Sequence, residues 1–508
     1  MKEYLNRIGF IDGIKPAYNP ISTPKTAIWE GRNVDVDDIG VLRLKPGTKL
    51  VTTSLGLGGI QGSISAFAGL LYVWQGKLYK DNLQGTRTLI FEGLGNDVTM
   101  ELWSENNIQV VYLHDGVGLW KTDGVTCSRV TPYTPGAGEP TNMLKNDGTS
   151  NPEKARISLF RHGMASRMVL AYKNSIYLSH SYQPNYFPSD QIIQLPDDGG
   201  TITGLDLAYG ALVIYRDIDT WVFFGDDVTD VNARLVKQET VGAVGKTIAN
   251  VPGLGPVFLG SDNVYALRGV TAIEGQYQAQ PIGDDVLPYL KRAMTDGTDA
   301  VATYYNGEYI LSFPQAIEPE RVFRLKTKGG NYAWYIDDGP LANGFVKHEG
   351  RLFYTSAEQG VIGEITKTVR TDNGNAIPFM ATFAHEKPSQ GITKLRRVFV
   401  FVESSKTLQD LSISLIGDGK GVIVTANLEV SAKAGTDFSL GQSAIGVGRI
   451  GRVSEITVYE AKVRMKTAFV QVQIAGTSPD QDIAILGYAL EYTPKSKLKG
   501  SKEGVTKL

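Results

Sequence analysis

Few side chains in this 508-residue chain stand where they could do chemistry together. Its five histidines (His114, His162, His180, His348 and His385) are scattered, and none falls in His-Glu-x-x-His or another close metal-ligand spacing. His114 and His348 fall in turns between short apolar runs, where a polar residue needs no further reason. Gly245-Lys246-Thr247 ends like a phosphate-cradling loop, but Thr240 stands where that motif needs its first glycine, and a strand is expected next. Gly56 to Gly62 is glycine-rich, yet Gln61 breaks the dinucleotide spacing. Asp35 to Gly40 has acids at calcium-loop spacing. Its fifth position is Ile39 and its twelfth is Pro46, where the ion needs a bidentate acid, so it reads as a turn. Four adjacent acid pairs, Asp197-Asp198, Asp226-Asp227, Asp284-Asp285 and Asp337-Asp338, sit at expected strand ends or at a helix start. Glycoside hydrolysis needs two carboxyls facing one bond across a set gap, whereas adjacent acids on a turn mostly serve solvation and turn hydrogen bonds. With no Gly-x-Ser-x-Gly elbow either, no catalytic, cofactor-binding or metal residue is assigned, no cofactor is expected, and the chain reads as not an enzyme.

Bulk properties narrow the field further. Net charge is −2, which argues against a protein built to grip nucleic acid, though not against one that DNA merely passes through. Cys127 is alone, so an intrachain disulfide or cysteine metal cluster is excluded. Met1 to Arg7 has no apolar signal core, and no run of 18 apolar residues occurs. The expectation is a protein made in the cytoplasm with no membrane-spanning segment.

The elements that would position any site are short strands. Leu70 to Tyr79, Val110 to Trp120, Val169 to Leu178, Ala211 to Phe224, Tyr304 to Leu311 and Phe345 to Tyr354 are each an apolar run, a brief Gly/Asn/Asp turn and a second run, often with a tyrosine. Recurrence at roughly 40–50 residues is the spacing of four-stranded propeller blades. The fold class expected is all-β: a β-propeller of about seven blades, six to eight being open, followed by a C-terminal antiparallel β-sandwich, with one short helix at Gly283 to Met294. A single large sandwich of look-alike hairpins is the competing reading. The expected division is 1–50, an extended arm and hairpin; 51–370, the propeller; 371–493, the sandwich; and 494–508, a basic flexible tail with Lys495, Lys497, Lys499, Lys502 and Lys507. Residues 131–155 lack periodicity and read as a long loop that projects towards a neighbour or is disordered.

One string resembles a known family. Asn33-Val34-x-Val36, then Gly40-x-Leu42-Arg43-x-x-Pro46-Gly47, stands ahead of the hairpins. It is followed by Tyr177-Leu178-Ser179 with Pro184-Asn185-Tyr186-Phe187, by Gly204 to Gly225, and by Ile248 to Arg268. In that order, over about residues 25–370, the pieces resemble the tail hub or nozzle proteins of short-tailed bacteriophages. The resemblance implies a structural virion protein of the tail, assembled as a ring of six copies. It implies docking on the portal–adaptor complex, DNA passing through the lumen without sequence-specific binding, and seats for tail fibres or spikes. The alternative is a glycan- or receptor-binding propeller module, with a propeller glycosidase ranked behind it.

Overall fold

The computed structural model describes residues 2–494 except 97, 162–165, 270–275, 297–298, 329–330, 390, 404–408, 418–422, 431–455 and 478–483. The lysine-rich tail beyond Pro494 and His162 lie outside the described residues.

Seven antiparallel sheets follow one another around a ring. Six are four-stranded meanders, spanning residues 62–92, 99–129, 157–194, 202–239, 249–281 and 301–337, here blades 1 to 6. Blade 7 takes three strands from Ala342–His348, Arg351–Ser356 and Ile362–Thr366. Its fourth is Gly47–Leu50, antiparallel to Ile362–Thr366 through Gly363↔Leu50 and Thr366↔Gly47. First strands of neighbouring blades approach one another, except that blade 4 meets blade 5 through the latter's second strand and the 245–247 turn, and blade 7 returns to blade 1, so the ring is closed. The second strand of a blade is the most apolar because neighbouring blades cover both its faces. Leu70, Leu71, Tyr72 and Val73 in blade 1 and Leu212 to Tyr215 in blade 4 are all buried completely. Turns between strands are equally local in origin. Gln75-Gly76, Tyr209-Gly210, Asn306-Gly307 and Glu349-Gly350 each place two successive residues at positive φ, the backbone of the tight hairpin turn that suits strand twist.

The remaining strands build two stacked sheets. One contains Thr393–Glu403, Ile456–Thr467 and Ala484–Pro494; the other contains Phe379–Phe383, Gln409–Gly417, Ile423–Val430 and Val470–Gly476. Val398, Val400 and Leu490 from the first face Ile413, Leu415, Val472 and Ile474 from the second in one dry core.

The expected boundary at residue 50 needs correction. The first fifty residues are woven into both larger units rather than forming an arm. Glu3–Ile8 pairs with Ala484–Pro494 (Glu3↔Tyr492, Ile8↔Gly487), and Ile28–Arg32 pairs with Phe379–Phe383. Val34–Val36 and Leu42–Leu44 form a hairpin on the edge of the first sheet. Gly47–Leu50 belongs to the propeller. Prolines 16, 20 and 24 do exclude helix, but the segments between them find partner strands supplied from the far end of the chain. Residues 131–155 do not project either. Tyr186 donates its hydroxyl to Pro140 O at 2.7 Å, Asn142 bonds Tyr133 O and Asn185 O, and Leu144 and Ala155 are buried between blades 2 and 3. The helix, Leu287–Asp296, follows a short 3-10 turn at Asp284–Val286; Leu290 and Ala293 are buried, and Lys15 reaches Asp285 at 2.6 Å.

Candidate functional site

Each blade's second-to-third-strand turn and the connection from one blade to the next lie on one face of the ring. On that face a funnel of about 1140 Å3 opens at the axis. Its wall is made by Asn96 and Thr99 entering blade 2, the Gly116-Val117 turn, and Lys154, Arg156 and Ser158 entering blade 3. Tyr172 and Lys173 of the next turn, Thr201 to Leu205 of blade 4, Val244 to Lys246, Asp299 and Asn343 complete it. Ser158 donates to Thr99 Oγ1 at 3.2 Å, Thr203 to Ala243 O at 2.6 Å and Asn343 to Ile60 O at 2.6 Å, so the small polar side chains also tie blade to blade.

Gly245-Lys246-Thr247 acquires a structural reason here. It is a single 3-10 turn. Thr247 is fully buried; its hydroxyl accepts from Leu259 N–H at 3.0 Å, and its carbonyl accepts from Tyr309 at 2.9 Å. A Cβ on Gly245 would stand 1.6 Å from Thr203 O, so only glycine lets this turn seat against blade 4. Between those two fixed residues Lys246 is exposed on the funnel wall.

A second cavity, of about 330 Å3, lies at the seam of blades 6 and 7. There Arg324, buried, contacts Asp337 at 2.5 Å, Glu308 at 3.2 Å and Asp35 at 3.5 Å. Lys326 bonds Asp35 and lies 3.6 Å from Glu308, while Lys45 reaches Asp372 at 2.6 Å. Burial pushes the Asp35 carboxyl up, but Arg324 and Lys326 outweigh it and hold the group below the ordinary carboxylate range. For Asp337 burial wins over Arg324, and its pKa is raised. Each of these four acids contacts one of these three cations, which makes the seam a joint between the 34–44 hairpin, blade 6 and the strands beyond the propeller.

The adjacent acid pairs are similarly engaged one at a time. Asp198 and Asp219 clamp Arg216, Asp227 takes Arg167 at 2.8 Å, Asp285 takes Lys15, Asp284 accepts from Asn263 at 2.7 Å, and Asp338 accepts from Asn33 at 2.8 Å. No two of these pairs meet. Asp37 caps a turn by accepting from Ile39 and Val41 N–H at 3.1 and 2.9 Å. His114 departs from the turn reading. It ends the second strand of blade 2, is 0% exposed, has no hydrogen-bond partner at either ring nitrogen, and burial drives its pKa down to about 3. Among the described residues no group of three or more His, Cys, Asp or Glu is placed to hold a metal ion. The same residues contain no helix long and apolar enough to cross a membrane.

Sequence reasoning missed the funnel residues. Lys154, Lys173 and Lys246 stand in unrelated stretches, and the available signal was positional: in a propeller, turns and connections of those two kinds share a face.

No protein-family model matches the chain, and no curated protein does. Among solved structures it is similar to an exo-β-1,3-galactanase from Phanerochaete chrysosporium, with 9% identity over 88% of this chain and 100% of that one, at a TM-score of 0.28. An arabinoxylan arabinofuranohydrolase of glycoside hydrolase family 43 from Bacillus subtilis matches at 9% identity over 87% and 97%, TM-score 0.26. PorZ, a surface component of the type-IX secretion system of Porphyromonas gingivalis, matches at 11% over 60% and 42%, TM-score 0.28. Scores and identities this low transfer no residue role. Two of these three are nonetheless enzymes, so the expectation that the chain is not an enzyme is withdrawn. The all-β, propeller-bearing architecture stands on this chain's own strand pairings.

Proposed function

We propose that this chain is a propeller-based binding module that takes its target, a glycan or a surface receptor, at the axial funnel. One observation carries the reading: a cavity of about 1140 Å3 on the face where turns and connections of blades 2 to 7 converge, with Asn96, Thr201 and Asn343 among its lining. Rigid blades hold those polar groups in place before a ligand arrives, which limits the ordering cost of binding. A glycan and cell-surface binding screen on the intact protein tests it. Binding that Tyr172→Ala and Asn343→Ala weaken supports the reading; binding indifferent to both removes it.

A second reading, a tail hub or nozzle subunit of a short-tailed phage, is favoured by where the resembling string falls. Asn33 donates to Asp338 and to Pro378 O, Asp35 meets Arg324, and Lys45 meets Asp372, so the string is the joint that fixes propeller to sandwich. A stiff two-part block suits a ring subunit whose task is geometry. On this reading copies of the chain form a ring, six being expected, under the portal and adaptor, with DNA in its lumen and fibres or spikes outside. Negative-stain images and mass measurement of the purified protein test it. Six-fold rings, or monomers that enter virions, support it; a monomer absent from every particle ends it.

A further inference from the structure

The outer face of the first sandwich sheet does not have the make-up of a solvated surface. An antiparallel sheet that packs one face on a core normally turns polar side chains to water on the other. Here Ala461, Val463 and Met465 point inward and are buried, and the outward residues fall into two parts. One part is apolar. Pairing sets Ile8 beside Gly487, Gly487 beside Phe401 and Phe401 beside Val458, a row that crosses four strands. Ile8 is 67%, Val458 52% and Tyr4 57% exposed, and the Tyr4 ring lies 6.2 Å from that of Phe399. A contiguous apolar surface of this kind marks a place where something else docks.

The other part is basic. Lys462, Arg464 and Lys466 alternate with buried residues along Ile456–Thr467, so they stand on one side roughly 6.8 Å apart. Lys466 pairs with Lys394 and Lys462 with Arg397, while a register shift beside Arg396 leaves that side chain exposed as well. Like charges directly opposite one another cost stability, so solvation alone does not account for them. Among the described residues, Arg397 is the one member of these six with a carboxylate in reach, Glu460 at 2.9 Å and Glu491 at 3.9 Å. Arg396 bonds the neutral Thr493 hydroxyl at 2.9 Å. Thr393 pairs with Pro494, so the sequence beyond, with five lysines against Glu503 alone, leaves the sheet at this same end. The chain as a whole carries −2, so this concentration of positive charge does not follow from composition.

We infer that this face docks an acidic protein, one whose surface sets an apolar patch over Phe401 and Val458 and a cluster of carboxylates over Lys462, Arg464 and Lys466. An apolar centre with charge at its margin is how protein interfaces are built. A second copy of this chain does not supply the match. The acids this face offers, Glu403, Glu460 and Glu491, are already paired with Arg43 and Arg397. A uniform polyanion, such as a nucleic acid or an anionic bilayer, fits less well. It would lay negative charge on Glu403 and Glu460, which flank the apolar row, as well as on the lysines. No residue of this face lines the funnel, so the inference stands apart from what the propeller binds.

Fluorescence anisotropy on the whole protein, with labelled decapeptides and a short DNA duplex as probes, decides the matter. A peptide alternating glutamate and valine is expected to bind at least about tenfold more tightly than one alternating lysine and valine, since a charge-assisted contact contributes of that order. It should also bind more tightly than the duplex, and raising salt should weaken it. The variant carrying Lys462→Gln, Arg464→Gln and Lys466→Gln should lose tenfold or more with its melting temperature unchanged, which shows that it still folds. No binding of the acidic peptide, equal binding of the lysine peptide, or binding that the triple variant keeps overturns the inference. Tighter binding of the duplex, or of phosphatidylserine vesicles in a sedimentation assay, makes the face a nucleic-acid or membrane site and overturns it too. A protein that is dimeric by mass measurement, and monomeric as the triple variant, assigns the face to a second copy with the same result.

Discussion

Two regions of this molecule gather charge, and they do so in opposite ways. At the seam of blades 6 and 7, Arg324, Lys326 and Lys45 are matched to Asp337, Glu308, Asp35 and Asp372, with Arg324 and Asp337 buried at its centre. At the funnel, Lys154, Arg156, Lys173 and Lys246 line one cavity wall together with Asp299. Balanced charge in low dielectric fixes geometry, because moving either partner strands the other. The funnel's side chains instead border an open cavity, where something that arrives from outside can meet them. The seam therefore reads as structure and the funnel as reception.

That contrast can be broken by experiment. The largest effect should come from cutting the chain after Arg370. Glu3–Ile8, Ile28–Arg32 and the 34–44 hairpin would lose every strand they pair with beyond the propeller, and the apolar residues beneath them would meet water. The truncated protein should be insoluble or unfolded, by sedimentation and circular dichroism. A soluble, cooperative propeller would show that the seam does not unite the two parts.

Next comes Arg324→Met, which leaves Asp337, Asp35 and Glu308 without their shared cation. A loss of about 3–5 kcal/mol is expected from breaking a buried pair, read by chemical denaturation. Adding Asp337→Leu to that variant should recover part of it. A smaller effect is tied to pH. His114 protonates at about 3 when folded and near 6.5 when unfolded, so between those values the unfolded chain binds more protons. Stability from this group is complete above pH 6.5 and is lost as pH falls towards 3. His114→Leu should flatten that slope in melting temperatures taken from pH 7 to pH 4; an unchanged slope would assign it to other groups. Smallest of all, Lys154→Gln with Lys173→Gln should alter stability by less than about 0.5 kcal/mol. A larger loss would make the funnel lysines structural and erase the distinction between the regions.

How much of this could be read in the residues depends on range. Blades were legible because their causes are local: Asn306-Gly307 makes its own turn, and Leu70 to Val73 announces a strand buried on both faces. Pairings such as Gly47–Leu50 with Ile362–Thr366 have no local signal, since each strand alone looks like any other and the partner lies at the far end of the ring. Hence the arm was misplaced while the blade count was not. The funnel was illegible for a related reason. Lys173 looks like any turn lysine, and only the packing of blade 3 beside blade 4 carries it to the same wall as Lys246.

Ring closure by Gly47–Leu50 also governs how the chain must be made. The strand that completes blade 7 is synthesised before blade 1, and the first strand, Glu3–Ile8, waits for Ala484–Pro494, the last one described. A chain emerging from the ribosome therefore holds six blades with an open end until Ile362–Thr366 has been made, and Glu3–Ile8 stays an orphan edge until Ala484–Pro494 follows. Such distant partners make for slow closure. Until each partner arrives, the exposed edges are where the nascent protein is most open to pairing with a neighbouring copy of itself.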